Sequence, residues 1–335
     1  MRVVVTGGGT GGHVFPALAV GKELARRGHE VSYVGSYGLE AEVVPGELPF
    51  FALPAGKLDR SAFRPSEAAK LAKGLVKALA LARRLRPEAV LATGGYASFP
   101  FALAARTLGA KLFLHEQNAA MGLANRLLRP LAKEVFLALP GEGGRVVGMP
   151  VREERYAKAE ARARLGLDPE RPVILVMGGS QGARVFNERL PGLLAPLLDR
   201  YQVLHAAGRG RAGEVRAPGP GYQVVEFLDA PLAWSAADLA VTRAGASTLA
   251  EAAFHRVPPI LVPYPFAADD HQRKNARRFA EAGAAWVVEE GEVERVAEIA
   301  AGLSESELSA KKAALSAFDP AGSAKRIADL IEEAA

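Results

Sequence analysis

The amino-acid sequence contains one short pattern twice, and this duplication constrains the fold more than any other feature. Residues 3–13 read VVVTGGGTGGH, and residues 173–183 read VILVMGGSQGA. Each copy predicts a buried parallel strand that ends in a glycine turn, with a helix opening on that turn. Helical runs follow at 17–27 and 185–198. Since the period is close to half of the 335-residue chain, we interpret it as a duplicated domain and not as a solenoid.

Short apolar runs alternate with helical segments along both halves. The runs lie at 31–34, 89–92, 111–115, 202–205, 239–242 and 260–262. Such alternation is typical of parallel sheets with helices on both faces. We therefore predict an α/β protein of two Rossmann-like, doubly wound parallel-sheet domains, which bind ligands in a cleft at the carboxyl ends of the strands. The predicted domains are 1–150 and 151–320, and the sequence leaves open whether the last helix, at about 321–333, packs back on the first domain.

Composition and charge narrow the class of protein. The chain has no cysteine, which excludes disulfides and thiolate metal sites. No apolar run reaches the length of about 18 residues that a membrane span needs, and the chain opens directly into a strand, so we expect a cytoplasmic protein. Residues 1–150 carry 19 Lys or Arg against 11 Asp or Glu, whereas the remainder carries 23 against 26. The positive first half indicates an anionic partner, either nucleic acid or a membrane surface, or else a solvated basic face.

The segment 57–86 concentrates this positive charge. It holds nine Lys or Arg and two acids, Asp59 and Glu67. Leu71, Leu75 and Leu79 recur every four residues, and basic residues flank that stripe. The pattern predicts either a basic amphipathic helix suited to an anionic bilayer surface or an ordinary helix that buries its leucines. We expect no nucleic-acid partner, because the chain has no aromatic platform or known binding motif.

Residues 7–12 match the G-x-G-x-x-G spelling of a dinucleotide-binding loop. That fingerprint also requires an acidic residue at the end of the second strand to hold a ribose, but here Glu30 precedes the strand and no acid ends it. We therefore favour phosphate binding by glycine amides at a helix terminus, with a purely structural turn as the alternative. A second loop at 178–182 adds the hydroxyl of Ser180. Two such loops indicate transfer between two phosphate-bearing substrates.

Polar residues follow the predicted strands of the first half. His13 stands at the first turn of its helix, where it is placed to accept a proton at neutral pH, unless it only caps the turn. Residues 115–118 read HEQN directly after a strand, which puts four polar groups at the carboxyl edge of the sheet. Residues 93–96 read TGGY and form a third glycine loop.

In the second half, residues 243–251 read RAGASTLAE and join a strand to a helix. Amides in the first turn of this helix are placed to bind phosphate. The Glu251 carboxylate, one turn further, is placed to accept both hydroxyls of a ribose, or else it only offsets the helix dipole.

Residues 269–275 read DDHQRKN and open another helix. Gln272 and Asn275 lie three apart and share a face, which suits the binding of sugar hydroxyls. Asp269, Asp270 and His271 also suggest a metal site, but adjacent helix residues point in different directions, so we expect no metal.

In combination these motifs resemble the MurG family, the bacterial UDP-N-acetylglucosamine transferases that act on undecaprenyl-pyrophosphoryl-muramoyl-pentapeptide. The resemblance rests on residues 8–16 (GGTGGHVFP), 115–118 (HEQN) and 178–183 (GGSQGA), and it covers essentially the whole chain. It implies the GT-B fold, in which two Rossmann-like domains face each other across a cleft. The chain departs from the family pattern at Asp270, where a neutral residue is expected.

The resemblance also implies roles for individual residues. His13 and Glu116 are the implied catalytic residues, and the sequence does not decide which of them is the general base. The implied donor-binding residues are Thr10, Gly11, Gly12, Asn118, Arg152, Ser180, Phe227, Leu228, Ala246, Ser247, Thr248, Glu251, Gln272 and Asn275. The implied acceptor-binding residues are Gly8, Gly9, Gly94, Gly95 and Tyr96.

The implied reaction is inverting transfer of N-acetylglucosamine from UDP-N-acetylglucosamine to the 4-hydroxyl of the muramoyl sugar of the undecaprenyl-linked lipid, a step of peptidoglycan synthesis. UDP would leave with its charge stabilised by helix amides and Arg152, so we expect no cofactor and no metal. The implied location is the cytoplasmic face of the cell membrane, with the protein held peripherally at the anionic surface. The alternatives are a GT-B enzyme of other chemistry, such as an epimerase or another glycolipid transferase, and a membrane module that binds nucleotide-sugar without turnover.

Overall fold

The computed structural model describes residues 1–54 and 65–334, with side chains for 1–54 and 73–334. They form two compact units. The first unit contains Met1–Val151 and Pro320–Ala335, and the second contains Arg152–Asp319. In the basic segment considered above, Lys57 and Asp59 lie outside the described residues, as do the side chains of Glu67, Lys70 and Leu71.

The first unit is built on a seven-stranded sheet in which all neighbouring strands run parallel. Its strands are β1 (Arg2–Thr6), β2 (Glu30–Gly35), β3 (Phe50–Ala52), β4 (Ala89–Ala92), β5 (Lys111–Glu116), β6 (Glu134–Leu137) and β7 (Arg145–Val146). They lie in the order β3-β2-β1-β4-β5-β6-β7, so the direction of winding reverses between β1 and β4. In an open parallel sheet this reversal leaves a crevice at the carboxyl ends of the strands, where ligands bind.

Helices cover both faces of this sheet. They are α1 (Gly11–Arg26), α2 (Leu39–Val43), α3 (Pro65–Leu85), α4 (Phe99–Thr107) and α5 (Leu123–Leu128). Val3 and Val5 pack on one face together with Leu24 of α1, whereas Val4 packs on the other face with Phe101 of α4. Successive strand residues point to opposite faces and both faces are buried, which explains why the strands are continuous apolar runs.

The helix α3 buries part of its predicted apolar stripe. Ala78 is buried in the core, with Leu79 partly buried beside it, as expected for an ordinary core helix. Val76 is 71% exposed, and Lys73 and Lys77 are exposed near it. Among the described residues, no helix combines the length and the apolar character needed to cross a bilayer.

The second unit repeats the architecture with a six-stranded parallel sheet. Its strands are β8 (Val173–Met177), β9 (Gln202–Ala206), β10 (Tyr222–Val225), β11 (Leu239–Thr242), β12 (Pro259–Leu261) and β13 (Trp286–Val287), in the order β10-β9-β8-β11-β12-β13. Its helices are α6 (Lys158–Arg164), α7 (Arg184–Leu194), α8 (Ala230–Ala236), α9 (Ala246–His255), α10 (His271–Glu281), α11 (Arg295–Gly302) and α12 (Glu305–Ala314). The expectation of two Rossmann-like parallel-sheet domains is confirmed.

The last helix, α13 (Ser323–Ala334), returns to the first unit and settles a question that the sequence left open. Ile327 and Ile331 are fully buried in the same apolar cluster as β1 and α1. At the rim, Arg27 pairs with Glu332 at 2.7 Å, and His29 lies 2.6 Å from the same carboxylate. The buried isoleucines therefore contribute most of the stability of this contact, and the ion pairs at its rim help to orient α13 on the first unit.

Candidate active site

Three loops of the first unit meet because β1, β4 and β5 are neighbours in the sheet. They are the glycine loop 7–12, the loop 93–96 and the loop 117–122. Thr93 joins the first two, since its hydroxyl donates to the backbone carbonyl of His13 at 2.7 Å. Parallel pairing thus gathers three motifs that are far apart in sequence into one polar cluster.

Two glycines of the cluster are required by close contacts within the protein. A Cβ atom on Gly7 would lie 2.1 Å from Oγ1 of Thr93, and one on Gly95 would lie 2.2 Å from the carbonyl oxygen of Gly8. Gly95 also has a φ of +77°, which side chains disfavour. The structural explanation weighed above therefore accounts for these two glycines. The amide of His13 already donates to the carbonyl of Thr10 at 3.0 Å, so the amides of Gly11 and Gly12 before it are the ones whose geometry at the helix N-terminus suits an anion.

His13 lies in the first turn of α1 with its ring against the other two loops. Its Nδ1 is 2.9 Å from the carbonyl oxygen of Thr93 and 3.1 Å from Oε1 of Gln117. The absence of side chains at Gly94 and Gly95 makes room for the ring, since Cβ atoms there would lie 3.3 and 3.2 Å from it. The ring is half-buried, and these two contacts fix its Nδ1 edge.

Both oxygens of the Glu116 carboxylate are engaged by neighbouring donors. Oε1 accepts from the backbone amide and the side-chain amide of Asn118, at 3.1 and 3.3 Å. Oε2 accepts from the amide of Gly122 at 3.0 Å and from Nδ2 of Asn125 at 2.9 Å. Glu116 is only 3% exposed. Its carboxylate therefore shapes the loop 117–122 and orients the Asn118 side chain.

Glu40 is a residue of this cluster that sequence reasoning missed. It is fully buried, and its Oε1 accepts from the backbone amide of Ser36 at 2.8 Å while its Oε2 accepts from the amide of Gly9 at 3.3 Å. Its side chain also fills the space next to Gly8, where a Cβ atom would lie 2.3 Å from Oε1. A dinucleotide-binding protein directs the acid of the second strand toward a ribose, whereas Glu40 turns inward and holds the glycine loop.

In the second unit, the loop 178–183 after β8 and the turn after β11 lie at the carboxyl ends of neighbouring strands. The helix α9 begins at Ala246 with Gly245 as its N-cap, so the amides of Ala246, Ser247 and Thr248 form its first turn. These amides and the positive end of the helix dipole suit a diphosphate. Ser180 is exposed in the adjacent loop.

Glu251 lies further along α9 and points toward α8. Its Oε2 accepts a hydrogen bond from the indole nitrogen of Trp234 at 2.9 Å. Removal from water raises the pKa of Glu251 to about 7, although the Trp234 bond and the charge of Arg152 act in the opposite direction. A carboxyl group held in this way in the second turn of α9 is placed to accept hydroxyl donors from a ligand bound at the start of that helix.

Gln272 forms hydrogen bonds to both of the segments that follow β11 and β12. Its Oε1 accepts from the backbone amides of Ala244 at 3.2 Å and Tyr264 at 3.0 Å, which turns the oxygen inward and fixes the orientation of the amide. Asn275 is fully buried, and its Nδ2 donates to the carbonyl of Ala244 at 3.1 Å. The two residues share a face, as expected, but Asn275 lies beneath the surface and supports the loop.

Asp269 and Asp270, just before α10, both adopt left-handed backbone conformations, with φ of +52° and +54°. Such conformations are uncommon outside glycine, and aspartate tolerates them better than most residues. Asp270, the departure from the family pattern, pairs with Arg273 at 3.2 Å. Within residues 1–54 and 65–334, no group of three or more His, Asp or Glu side chains is arranged to hold a metal ion.

The remaining residues expected at the donor are on the surface of the second unit. Phe227 follows β10 and is exposed, with Leu228 partly buried beside it, and the Arg209 guanidinium lies 5.5 Å from the Phe227 ring centre. Arg152 pairs with Asp229 at 2.9 Å and with Glu154 at 3.1 Å. An anion that binds Arg152 therefore has to compete with two carboxylates.

The folds of both units and their polar strand ends are those of nucleotide-sugar transferases, and the chain belongs to glycosyltransferase family 28. The N-terminal domain of that family matches residues 3–137, and its C-terminal domain matches residues 173–333. The expected family resemblance is thereby confirmed.

Named relatives lie within this family. A Thermus thermophilus protein is 52% identical over 98% of this chain and 99% of its own length, and is named "UDP-N-acetylglucosamine--N-acetylmuramyl-(pentapeptide) pyrophosphoryl-undecaprenol N-acetylglucosamine transferase". A Deinococcus radiodurans protein of the same name is 42% identical over 86% of this chain and 84% of its own length.

Solved structures of glycosyltransferases are also similar to this chain. The crystal structure of Acinetobacter baumannii MurG is similar to this chain with a TM-score of 0.82, at 31% identity and with 99% of each chain covered. The Streptomyces glycosyltransferase SsfS6 shares the fold at 19% identity, with a TM-score of 0.71 and 99% of each chain covered.

Proposed function

We propose that this protein transfers N-acetylglucosamine from UDP-N-acetylglucosamine to the 4-hydroxyl of the muramoyl sugar of undecaprenyl-pyrophosphoryl-muramoyl-pentapeptide. The observation that carries the proposal is the 52% identity, over nearly the full length of both chains, to a relative whose name states this donor and this acceptor. The product is the disaccharide lipid used in peptidoglycan synthesis.

The second unit binds the donor. The first-turn amides of α9 hold the diphosphate, Glu251 accepts from the ribose hydroxyls, and the exposed ring of Phe227 lies against uracil. Gln272 contributes to the sugar site because its oxygen is turned inward, which leaves its NH₂ group as the part that meets a ligand. Asn275 supports the loop from below.

The first unit binds the acceptor. The amides at the start of α1 and in the loop 93–96 hold its pyrophosphate, next to the ring of His13. Tyr96 covers Gly9, since a Cβ atom there would lie 2.9 Å from the tyrosine ring, so the two loops act as one surface.

His13 is the general base of the proposed reaction. The carboxylate of Glu116 is buried and already accepts from four donors, so proton transfer to it would break contacts that hold the loop 117–122. His13 accepts the proton of the 4-hydroxyl while the hydroxyl oxygen forms a bond to C1 of the donor sugar. The bond from C1 to the UDP oxygen breaks, C1 inverts, and UDP leaves with its charge stabilised by helix amides.

We also propose that the first unit contacts an anionic membrane surface through α3, α4 and α5. These helices pack on one another, and together with the turns that follow α4 and α5 they expose Val76, Leu108, Leu127 and Leu131 among basic residues such as Arg126 and Arg129. Apolar side chains ringed by cations suit the interface of an anionic bilayer. Sedimentation with phosphatidylglycerol vesicles tests this. Binding should weaken with salt and with the double substitution Leu127→Ser and Leu131→Ser, whereas Val146→Ser, on an exposed residue of β7, should leave it unchanged.

Mass spectrometry of the protein mixed with UDP-N-acetylglucosamine and a short-chain lipid analogue tests the reaction. The expected products are the disaccharide lipid and UDP, and His13→Ala should lose turnover while it still binds UDP. Intact substrates under conditions where UDP binding is measurable would contradict the proposed acceptor.

A further inference from the structure

The contacts of His13 define its neutral tautomer. Nδ1 faces two oxygen acceptors, the carbonyl of Thr93 at 2.9 Å and Oε1 of Gln117 at 3.1 Å. A ring nitrogen placed between two acceptors has to carry the hydrogen. The neutral ring therefore keeps its lone pair on Nε2.

The orientation of the Gln117 amide follows from contacts that do not involve His13. Its Nε2 lies 2.8 Å from the carbonyl oxygen of Thr93, 3.1 Å from that of His115 and 3.0 Å from Nδ1 of His115. Because carbonyl oxygens only accept, this atom is the NH₂ nitrogen, and the oxygen has to face His13. Gln117 is 1% exposed, so water does not compete for these contacts.

His115 completes the network. Its Nε2 lies 2.9 Å from the carbonyl oxygen of Gly148 and so carries the hydrogen, which leaves Nδ1 to accept from Gln117. Burial lowers the pKa of His115, and the ring stays neutral. The hydrogen bonds therefore all run in one direction, from His13 through Gln117 and His115 to Gly148.

We propose that Gln117, supported by His115, is a positioning residue that holds His13 as the Nδ1–H tautomer and so leaves Nε2 to accept a proton. The catalytic part of this inference rests on the proposed function. When Nε2 takes the proton of the acceptor hydroxyl, the two oxygens at Nδ1 stabilise the positive ring. His115 at the end of β5 and Gln117 just after it are two residues apart, and their side chains meet at 3.0 Å.

Nuclear magnetic resonance of the full chain labelled with ¹⁵N-histidine measures the tautomer above neutral pH, with His13→Gln to assign the signals. His13 in the parent protein should be protonated at Nδ1 and unprotonated at Nε2. Gln117→Met keeps the side-chain volume and removes the amide. It should give a measurable fraction of the Nε2–H tautomer and lower kcat about 10- to 100-fold, with the KM for UDP-N-acetylglucosamine unchanged. A neutral His13 protonated at Nε2 in the parent protein, or a Gln117→Met variant with parental tautomer and kcat, would overturn the proposal.

Gln202 in the second unit supplies a matched control. It is also buried, and its Nε2 donates to the carbonyls of Asp168 at 2.6 Å and Arg171 at 2.9 Å. Gln202→Met removes bonds of the same kind and should leave the His13 tautomer and kcat unchanged. An equal loss of kcat in this variant would assign the Gln117 effect to general destabilisation and overturn the positioning role. If the His13 tautomer is as inferred but no sugar transfer occurs, the proposed function fails and the positioning network stands.

Discussion

The indole nitrogen of Trp234 donates a 2.9 Å hydrogen bond to Oε2 of Glu251, linking a fully buried aromatic residue of α8 to a carboxyl group in the second turn of α9. This bond favours the ionised carboxylate, but burial outweighs it and raises the pKa of Glu251 to about 7. Glu251, which is proposed to hold the ribose, thus ionises near neutral pH. Its ionised form lowers the stability of the fold because it is removed from water, but it favours the binding of UDP.

The first prediction concerns Glu251→Gln. The folded-state pKa of about 7 exceeds the reference value of 4.5, so the contribution of this group to stability is fully present below pH 4.5 and is lost as the pH rises through 7. The neutral variant should therefore be more stable than the parent above pH 7, by at most about 3 kcal/mol, and should bind UDP more weakly. Urea unfolding at acidic and at alkaline pH, with calorimetry of UDP binding, measures both effects. A stability difference that does not change with pH would contradict the buried-carboxyl explanation.

The second prediction concerns Glu40→Gln. An amide cannot accept at both of the positions where the carboxylate now meets the amides of Ser36 and Gly9, so one of these two donors loses its partner. We expect a loss of about 1–3 kcal/mol in unfolding free energy and a higher KM for the lipid acceptor, with the KM for the donor unchanged. Glu42→Gln, on the exposed side of the same helix, is the control. Equal effects of the two substitutions on stability and on the acceptor KM would contradict the role of Glu40 in the site.

The third prediction separates the roles of Glu116 and His13. Glu116→Gln places an NH₂ group against amides that now donate hydrogen bonds to the carboxylate. The substitution should therefore lower the melting temperature and raise the KM for the acceptor. His13→Gln should instead lower kcat by about 10²- to 10⁴-fold at nearly unchanged melting temperature. Steady-state kinetics and thermal unfolding of both variants measure the difference. A Glu116→Gln variant with parental stability and KM but no turnover would identify Glu116 as the base.

The fourth prediction concerns the attachment of α13. Ile331→Ala removes a fully buried side chain from the core shared with β1 and α1, and should cost about 2–5 kcal/mol. Hydrogen exchange should accelerate in peptides from β1, β2 and α1, because these elements share that core. Glu333→Ala, on an exposed residue of the same helix, is the control. Unchanged exchange in the Ile331 variant would mean that α13 is not needed for the stability of the first unit.

The sequence predicts the repeated elements of this fold well, because buried parallel strands are continuous apolar runs. All six runs expected as strands are strands, with ends that coincide or shift by one residue. It missed β3, β6, β7, β10 and β13, of which β7 and β13 are only two residues long, and all but β6 lie at sheet edges. There, few side chains are buried, so little apolar pattern marks them.

The sequence by itself determined the two-domain α/β class, the glycine loops and the family, since these depend on local patterns and on motifs of adjacent residues. Only the tertiary structure decided which polar groups touch. Glu40 reaches Gly9, Gln117 reaches His13, and α13 returns to β1, because parallel strand pairing brings distant loops to one edge of a sheet. It also showed that the Glu116 carboxylate is buried and accepts from four donors, which cannot be read from residue order.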